Sequence, residues 1–305
     1  MLRYRLPGII KMIIIYTLLI IFAVLYLQPV LYMISLSFKS LSDMVDPTAR
    51  WIPNNPTLHN IQIAIRQMRI LPMFVEGRTL WTNLSSSAML ISLMTTIPPA
   101  FIQVFTCAIA GYALGRCDFP FKRVVFVLLA LTYIVPPQTI FIPLAWFNAQ
   151  LGFLNSPMAF IAPSLFGHGL RGGLFVIIYM QFFRKIPLEL EEAALIDGAS
   201  KYSAFIKIIF PLAKPAMIVV FLFSLVWHWN ETFLVRIFYT RIATLAVQVT
   251  SLNYVRNVEA IWEFVAYFMP IAMACGLLFV TPILIVYLFT QKFFTESIER
   301  TGIVE

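Results

Sequence analysis

Residues 186–216 read IPLELEEAALIDGASKYSAFIKIIFPLAKPA, a polar stretch set between two apolar runs at about 157–183 and 216–239. Pro187 suits the first position of a helix. Glu189, Glu191 and Glu192 in the first turns favour the positive end of the helix dipole. Gly198 suits the left-handed residue that stops this helix, and Ser200 can cap a second one. In that second helix Tyr202, Phe205, Ile206 and Ile209 fall at i, i+3, i+4 and i+7, giving one apolar stripe, and Pro211 ends it. Ala193 and Ala194 carry almost no side chain, so the first helix can lie deep in a partner's groove. The stretch predicts two short helices meeting at a turn, held rigidly between long apolar segments.

Outward from this loop the chain is made for lipid. Hydrophobic residues make up 60% and charged residues 12%, against about 45–50% and about 25% in ordinary globular proteins. With a mean hydropathy of +0.86 and 28 Phe, this composition excludes a soluble two-domain enzyme, a disordered chain and a disulfide-stapled module. Cys107, Cys117 and Cys275 are scattered and read as small apolar packing residues. A bilayer core needs about 20 apolar residues per helix, and six runs approach or exceed that, at about 12–36, 84–113, 124–147, 157–183, 216–239 and 267–291. The expectation is one all-α integral membrane domain over 1–305 with six spans.

The first run follows Arg3, Arg5 and Lys11, as in a signal peptide, but it is too long and no small-x-small site follows. It reads as an uncleaved first span. Arg116, Lys122 and Arg123, then Arg184, Lys185, Lys201, Lys207 and Lys214, fall on the same side as the basic N-terminus. Lys39, Arg50, Arg66, Arg69 and Arg78 on the other side are spread over the longer 37–82 segment, so charge density predicts both termini in the cytoplasm. The same bias explains the net charge of +8 without nucleic acid.

Pro98-Pro99, Pro136-Pro137, Pro143, Pro270 and Pro282 interrupt the spans. Such breaks free backbone carbonyls, which suits either ordinary kinks or a water-lined path that opens and closes. Gly167, Gly169 and Gly172 spell G-x-G-x-x-G, with Glu191 and Glu192 near the distance of a ribose partner. The helix after them is apolar all round and nothing supplies a parallel sheet, so nucleotide binding is rejected. These glycines, with Gly173 and the pair Gly111 and Gly115, fit close helix packing instead. No glycine precedes a lysine, so there is no phosphate loop. His59, His168 and His228 are far apart, and neither a metal set nor a G-x-S-x-G elbow is present.

Glu192-Ala193-Ala194, then Gly198, then Ile208-Ile209-Phe210-Pro211 resembles the E-A-A loop of ABC importer permeases, with Phe210 where that family usually has Leu. Gln181-Phe182-Phe183, Ile196-Asp197-Gly198-Ala199 and Lys214-Pro215-Ala216 extend the match. The set is similar to the shorter permease subunit of the maltose-type carbohydrate-uptake subfamily. Further matches are Trp51-Ile52-Pro53 with Pro56-Thr57-Leu58 and Asn60, Ala110-Gly111-Tyr112-Ala113-Leu114, Trp229-Asn230 with Phe233, and Gln291-Lys292-Phe293-Phe294. Met180, where Arg is frequent, and the tail Glu299–Glu305, without the usual glycine-lysine ending, depart from it.

The resemblance implies a sugar or oligosaccharide importer working with a second homologous permease, two ABC ATPase subunits and an extracytoplasmic sugar-binding protein. The chain itself would be no enzyme and would bind no cofactor, the partner ATPase using ATP and Mg. Glu192, Ala193, Ala194, Asp197, Gly198, Ile208 and Pro211 would carry the coupling to that ATPase. The fifth span also holds Trp227-His228-Trp229-Asn230-Glu231. A charge inside a bilayer must face protein or water, so His228, Asn230 and Glu231 are candidates for the translocation path, with His228 and Glu231 spaced to pair. An interfacial position beside belt tryptophans is the alternative reading of this segment. Half of a secondary transporter or an independent channel would use the broken helices but would need no docking loop. A membrane-embedded enzyme lacks a nucleophile, metal or acid–base cluster.

Overall fold

The structure is a computed structural model that describes residues 6–252 and 264–302. Arg3, Arg5 and the final Ile303–Glu305 of the tail lie outside the described residues. In chain order the helices are α1 (Leu6–Ser37), α2 (Leu41–Val45), α3 (His59–Gln67), α4 (Leu80–Leu84) and α5 (Ala88–Arg116). They continue with α6 (Lys122–Ile134), α7 (Phe141–Gln150), α8 (Met158–Leu165), α9 (Gly172–Lys185) and α10 (Glu189–Ile196). The remaining ones are α11 (Lys201–Ala204), α12 (Phe210–Leu212), α13 (Lys214–Asn230), α14 (Phe233–Phe238), α15 (Leu245–Thr250) and α16 (Met269–Gly302). Single π turns cover Phe205–Ile209 and Phe264–Phe268, and no strand occurs among the described residues. The fold class is all-α.

Among the described residues three helices are continuous, long and apolar enough to cross a bilayer: 8–37, 88–116 and 266–292. The other three apolar runs are each divided. The 124–147 run falls on α6 and α7 with the Val135–Thr139 break, where Pro136 and Pro137 forbid continuation. The 157–183 run turns at Phe166–Arg171, and the 216–239 run breaks at Glu231–Thr232. Pro98 and Pro99, by contrast, lie inside an unbroken α5.

The chain divides into two compact units, 1–68 with 251–281, and 69–250 with 282–305. In the first, α1 is apolar on every side and exposed from 8 to 29, as a helix facing lipid must be. The chain after it is knotted together by polar groups. Buried Asn60 donates to the carbonyls of Ser37 and Lys39 at 3.2 and 2.8 Å, and the Asp43 carboxylate accepts the Asn55 N–H at 3.0 Å. The Ser35 hydroxyl donates to the Trp51 carbonyl at 2.6 Å, and the Trp51 ring packs edge-on against Tyr32.

The second unit is organised around α5, against which α8, α9 and α13 pack. Between helices in lipid there is little hydrophobic drive, so contact depends on close approach. Gly111 supplies it: a Cβ there would lie 2.5 Å from Tyr179 Cβ and 3.0 Å from the Val176 carbonyl oxygen of α9. Gly115 lets the backbone of Met180 approach as well, its carbonyl oxygen lying 3.2 Å from where a Cβ would be. Gly173 brings α9 against Thr132 and Leu129 of α6. Gly169 lies in a turn rather than on a helix face, so it forms no stripe with Gly173. A Cβ at Gly169 would nonetheless strike Ser164 Oγ and the Gln103 side chain at 2.3 and 2.6 Å.

Candidate functional site

The last turn of α5 grips the loop after α9. Arg116 donates from Nε to the Phe183 carbonyl at 2.8 Å and from a terminal nitrogen to the Ile186 carbonyl. The Phe183 carbonyl also accepts the Ile186 N–H at 3.2 Å, so Arg116 adds a second bond at the helix end, where carbonyls run short of donors. One turn earlier, Tyr112 donates its hydroxyl to Glu191 Oε1 at 2.5 Å. Glu191 is only 9% exposed, and its Oε2 has no partner among the described residues. Phe183 packs edge-on against Tyr112 and Phe205, closing an aromatic floor under the loop.

On that floor sits the predicted pair of short helices. α10 starts two residues after Pro187, with its three glutamates in the first turn. It ends in a complete Schellman arrangement. Gly198 N–H donates to the Leu195 carbonyl at 3.1 Å, and Ala199 N–H donates to the Ala194 carbonyl at 3.0 Å. Gly198 has φ +84°, and the space beside it is open, so glycine is required by conformation and not by crowding. Ser200 then caps α11, its hydroxyl accepting the Ser203 N–H at 3.2 Å.

Two details differ from expectation. Pro211 does not end the second helix: the chain passes it through the π turn Phe205–Ile209, with Phe210 N–H reaching back to the Phe205 carbonyl, and bends only at Ala213. The segments 201–212 and 214–230 meet there at 74°. The π turn also divides the expected stripe. Phe205 and Ile209 are buried, whereas Tyr202 is 72% exposed and Ile206 is also exposed. Of the predicted coupling residues, Glu192, Ala193, Asp197, Gly198 and Pro211 are exposed, Ile208 is half-buried, and Ala194 faces the chain's own core. A bulky residue at 194 therefore disturbs this chain before it disturbs any partner. Glu191, not Glu192, is the buried glutamate. Its signal was present in the sequence only as one of three glutamates within four residues, Glu189, Glu191 and Glu192.

The three helix interruptions at Val135–Pro136, Gly169–Arg171 and Glu231 meet around a second feature, a cavity of about 470 Å³. Gln138, His168, Arg171, Trp227, Asn230 and Glu231 are on its wall. The Arg171 guanidinium lies 5.6 Å from the centre of the Trp227 ring. Asn230 and Glu231 thus line this cavity. His228 does not: it is 2% exposed, and its Nδ1 lies 2.8 Å from the Ser224 carbonyl, with Phe160 edge-on to the ring. Nor do His228 and Glu231 pair. The helix ends at Asn230, and Glu231 Oε1 turns forward to accept the Leu234 N–H at 2.8 Å, which starts α14. Behind the wall, Ser224 donates to Gln103 Oε1 at 2.5 Å, and Gln103 Nε2 donates to the Leu170 carbonyl at 3.2 Å. That network fixes the broken turn against α5. Among the described residues no group of His, Cys, Asp or Glu is placed to hold a metal.

Residues 107–300 match the binding-protein-dependent transport system inner membrane component family. The chain belongs to that family. It is the permease subunit of an ABC importer, a multi-pass membrane component that works with a binding protein and an ATPase. It is 28% identical over 267 residues to a putative ABC transporter permease protein of Caldicellulosiruptor, covering 86% of each chain. It is 30% identical over 208 residues to the trehalose transport system permease protein of Mycobacterium tuberculosis, covering 68% of each. The permease also shares its fold with a chain from a bacterial ABC transporter involved in import of the acidic polysaccharide alginate. The TM-score there is 0.68 at 22% identity, over 93% of this chain and 96% of that one.

Proposed function

We propose that this permease imports a sugar or oligosaccharide, and that residues 186–216 deliver the force of a separate ATPase to its spans. The observation that carries the coupling is the clamp: Tyr112 and Arg116 of one helix turn hold α10 and the end of α9 together. Movement of the hairpin must then move α5, α9 and α13, as alternating access requires. The outward side of the hairpin offers Leu188, Tyr202, Ile206 and Leu212, with Ile196 86% exposed, an apolar ridge suited to a groove in the ATPase. Glu192 and Ala193 lie exposed on the same hairpin, where they can touch that partner.

In this reading six passes place both termini in the cytoplasm, beside the hairpin. A second related permease completes the pathway, and two ATPases bind ATP and Mg. Support for a carbohydrate comes from relatives named for trehalose and diacetylchitobiose uptake. The cavity fits such a cargo, with the Trp227 ring as an apolar surface for the C–H face of a sugar and Asn230, Glu231 and His168 for its hydroxyls.

The test is reconstitution with partner permease, ATPase and binding protein in vesicles, followed by labelled disaccharide uptake. Uptake should require ATP, and a cysteine in place of Ala193 should cross-link to the ATPase. Uptake that proceeds without the ATPase, driven by an ion gradient, would overturn the proposal.

A further inference from the structure

At the other end of α5, some 29 residues from the clamp, the same unit has a cleft of about 400 Å³. At 1.5 Å per residue the two features are ~43 Å apart along the helix. Arg69, Arg78 and Arg241 all line the cleft, with Trp81, Asn155 and Gln248. None of the three guanidiniums has an ion pair among the described residues. All three are solvent-exposed and give the cleft one sign of charge, with no acidic residue on its wall among the described residues.

The backbone is arranged to keep them there. Arg69 has φ +50°, a left-handed conformation that side chains disfavour, and its carbonyl is held by the Ala88 N–H at 2.8 Å. Arg241 is held through its own N–H, which donates to Asn155 Oδ1 at 2.7 Å, and Asn155 is itself left-handed at φ +57°. Arg78 follows the Gly77 turn, which Asn83 braces by accepting the Val75 N–H at 3.1 Å. Three separate turns thus deliver three cations to one concave space.

We infer that this cleft binds the anionic group of a carbohydrate, a carboxylate or sulfate, through Arg69, Arg78 and Arg241 before the cargo enters the spans. Guanidinium forks match such oxyanions in shape as well as charge. The cleft is of small-ligand size, and Trp81 with the neutral Thr82 and Gln248 supplies the apolar face and hydroxyl partners that a sugar ring uses.

The inference rests on the carbohydrate-importer reading but is tested without transport. The purified permease complex, without ATP or binding protein, is titrated with D-glucuronate and with D-glucose at 50 and 300 mM salt, using saturation-transfer NMR. Glucuronate should bind at least tenfold more tightly than glucose and weaken at the higher salt. Arg241→Gln and Arg78→Gln, both at exposed positions, should each weaken glucuronate at least fivefold, and Arg241→Lys should retain part of the binding. Equal binding of the two sugars would overturn it, as would glucuronate binding indifferent to the arginine variants. If the variants leave glucuronate binding unchanged but, in a separate pull-down with the binding protein added, lose its docking, the inference is also overturned and the cleft is assigned to that protein. Each of these failures leaves ATP-driven uptake of neutral sugars, and so the proposed function, untouched.

Discussion

Helix breaks do opposite work in the hairpin and in the cavity. At Gly198 the Leu195 and Ala194 carbonyls are met by the Gly198 and Ala199 N–H groups within the turn, and Arg116 takes up the Phe183 and Ile186 carbonyls at the end of α9. The result is a joint with one conformation. At the cavity three breaks converge on an open volume, and the polar residues on its wall are held only locally, Asn230 Nδ2 donating to the Val226 carbonyl at 2.8 Å and Glu231 Oε1 accepting the Leu234 N–H at 2.8 Å. The rear of that wall is tied to α5 by Gln103 and Ser224. Interruption of a helix therefore does not by itself mean flexibility or a pathway. What differs is whether packed neighbours or an open volume lie against the break.

The comparison predicts a hierarchy of damage. The contact both regions share is the α5–α9 seam, so breaking it should cost most. Gly111→Leu places its Cβ 2.5 Å from Tyr179 Cβ on a packed backbone, and we expect a loss of about 3 kcal/mol or more. Size-exclusion chromatography in detergent should show little assembled complex. Next comes the clamp. Tyr112→Phe keeps the ring against Phe183 but removes the donor to a buried carboxylate, which costs ~1–3 kcal/mol. A thermal-shift assay should show a lower melting temperature, whereas Glu191→Gln, still able to accept from Tyr112, should lose less. Smallest is the cavity wall. Glu231→Gln keeps an oxygen for the Leu234 N–H and should change stability by no more than ~0.5 kcal/mol. It should nevertheless lower disaccharide uptake severalfold in the vesicle assay if the wall touches cargo.

How far the sequence reached follows the same line. The hairpin was legible because its signals are local: a glycine at the joint, a serine cap and acidic residues in a first turn. The two residues that clamp it, Tyr112 and Arg116, lie some 70 to 80 positions away from their partners, and no spacing rule connects them. The π turn before Pro211 was missed for a different reason, since a helix can absorb a proline by reaching one residue further back instead of stopping. Asn230 and Glu231 were found as polar residues in an apolar run. His228 was grouped with them as a polar residue of the same span, three positions before Glu231, but its hydrogen bond to Ser224 and the ring of Phe160 turn it into the core. The convergence of three breaks on one cavity depends on how α6, α9 and α13 pack, which apolar runs alone do not specify.

The central claim is that the hairpin transmits force because its joint is fixed. Gly198 is the position to test, since nothing within 4 Å would resist a larger side chain and only its φ of +84° does. The measurement is the ratio of sugar imported to ATP hydrolysed in reconstituted vesicles for Gly198→Val and Gly198→Asn. Valine is strained in the left-handed region and asparagine tolerates it. The account predicts that the valine variant assembles but transports at least tenfold less sugar per ATP, while the asparagine variant stays within about twofold of the parent. Equal ratios in the parent and both variants, with normal stimulation by the binding protein, would contradict it.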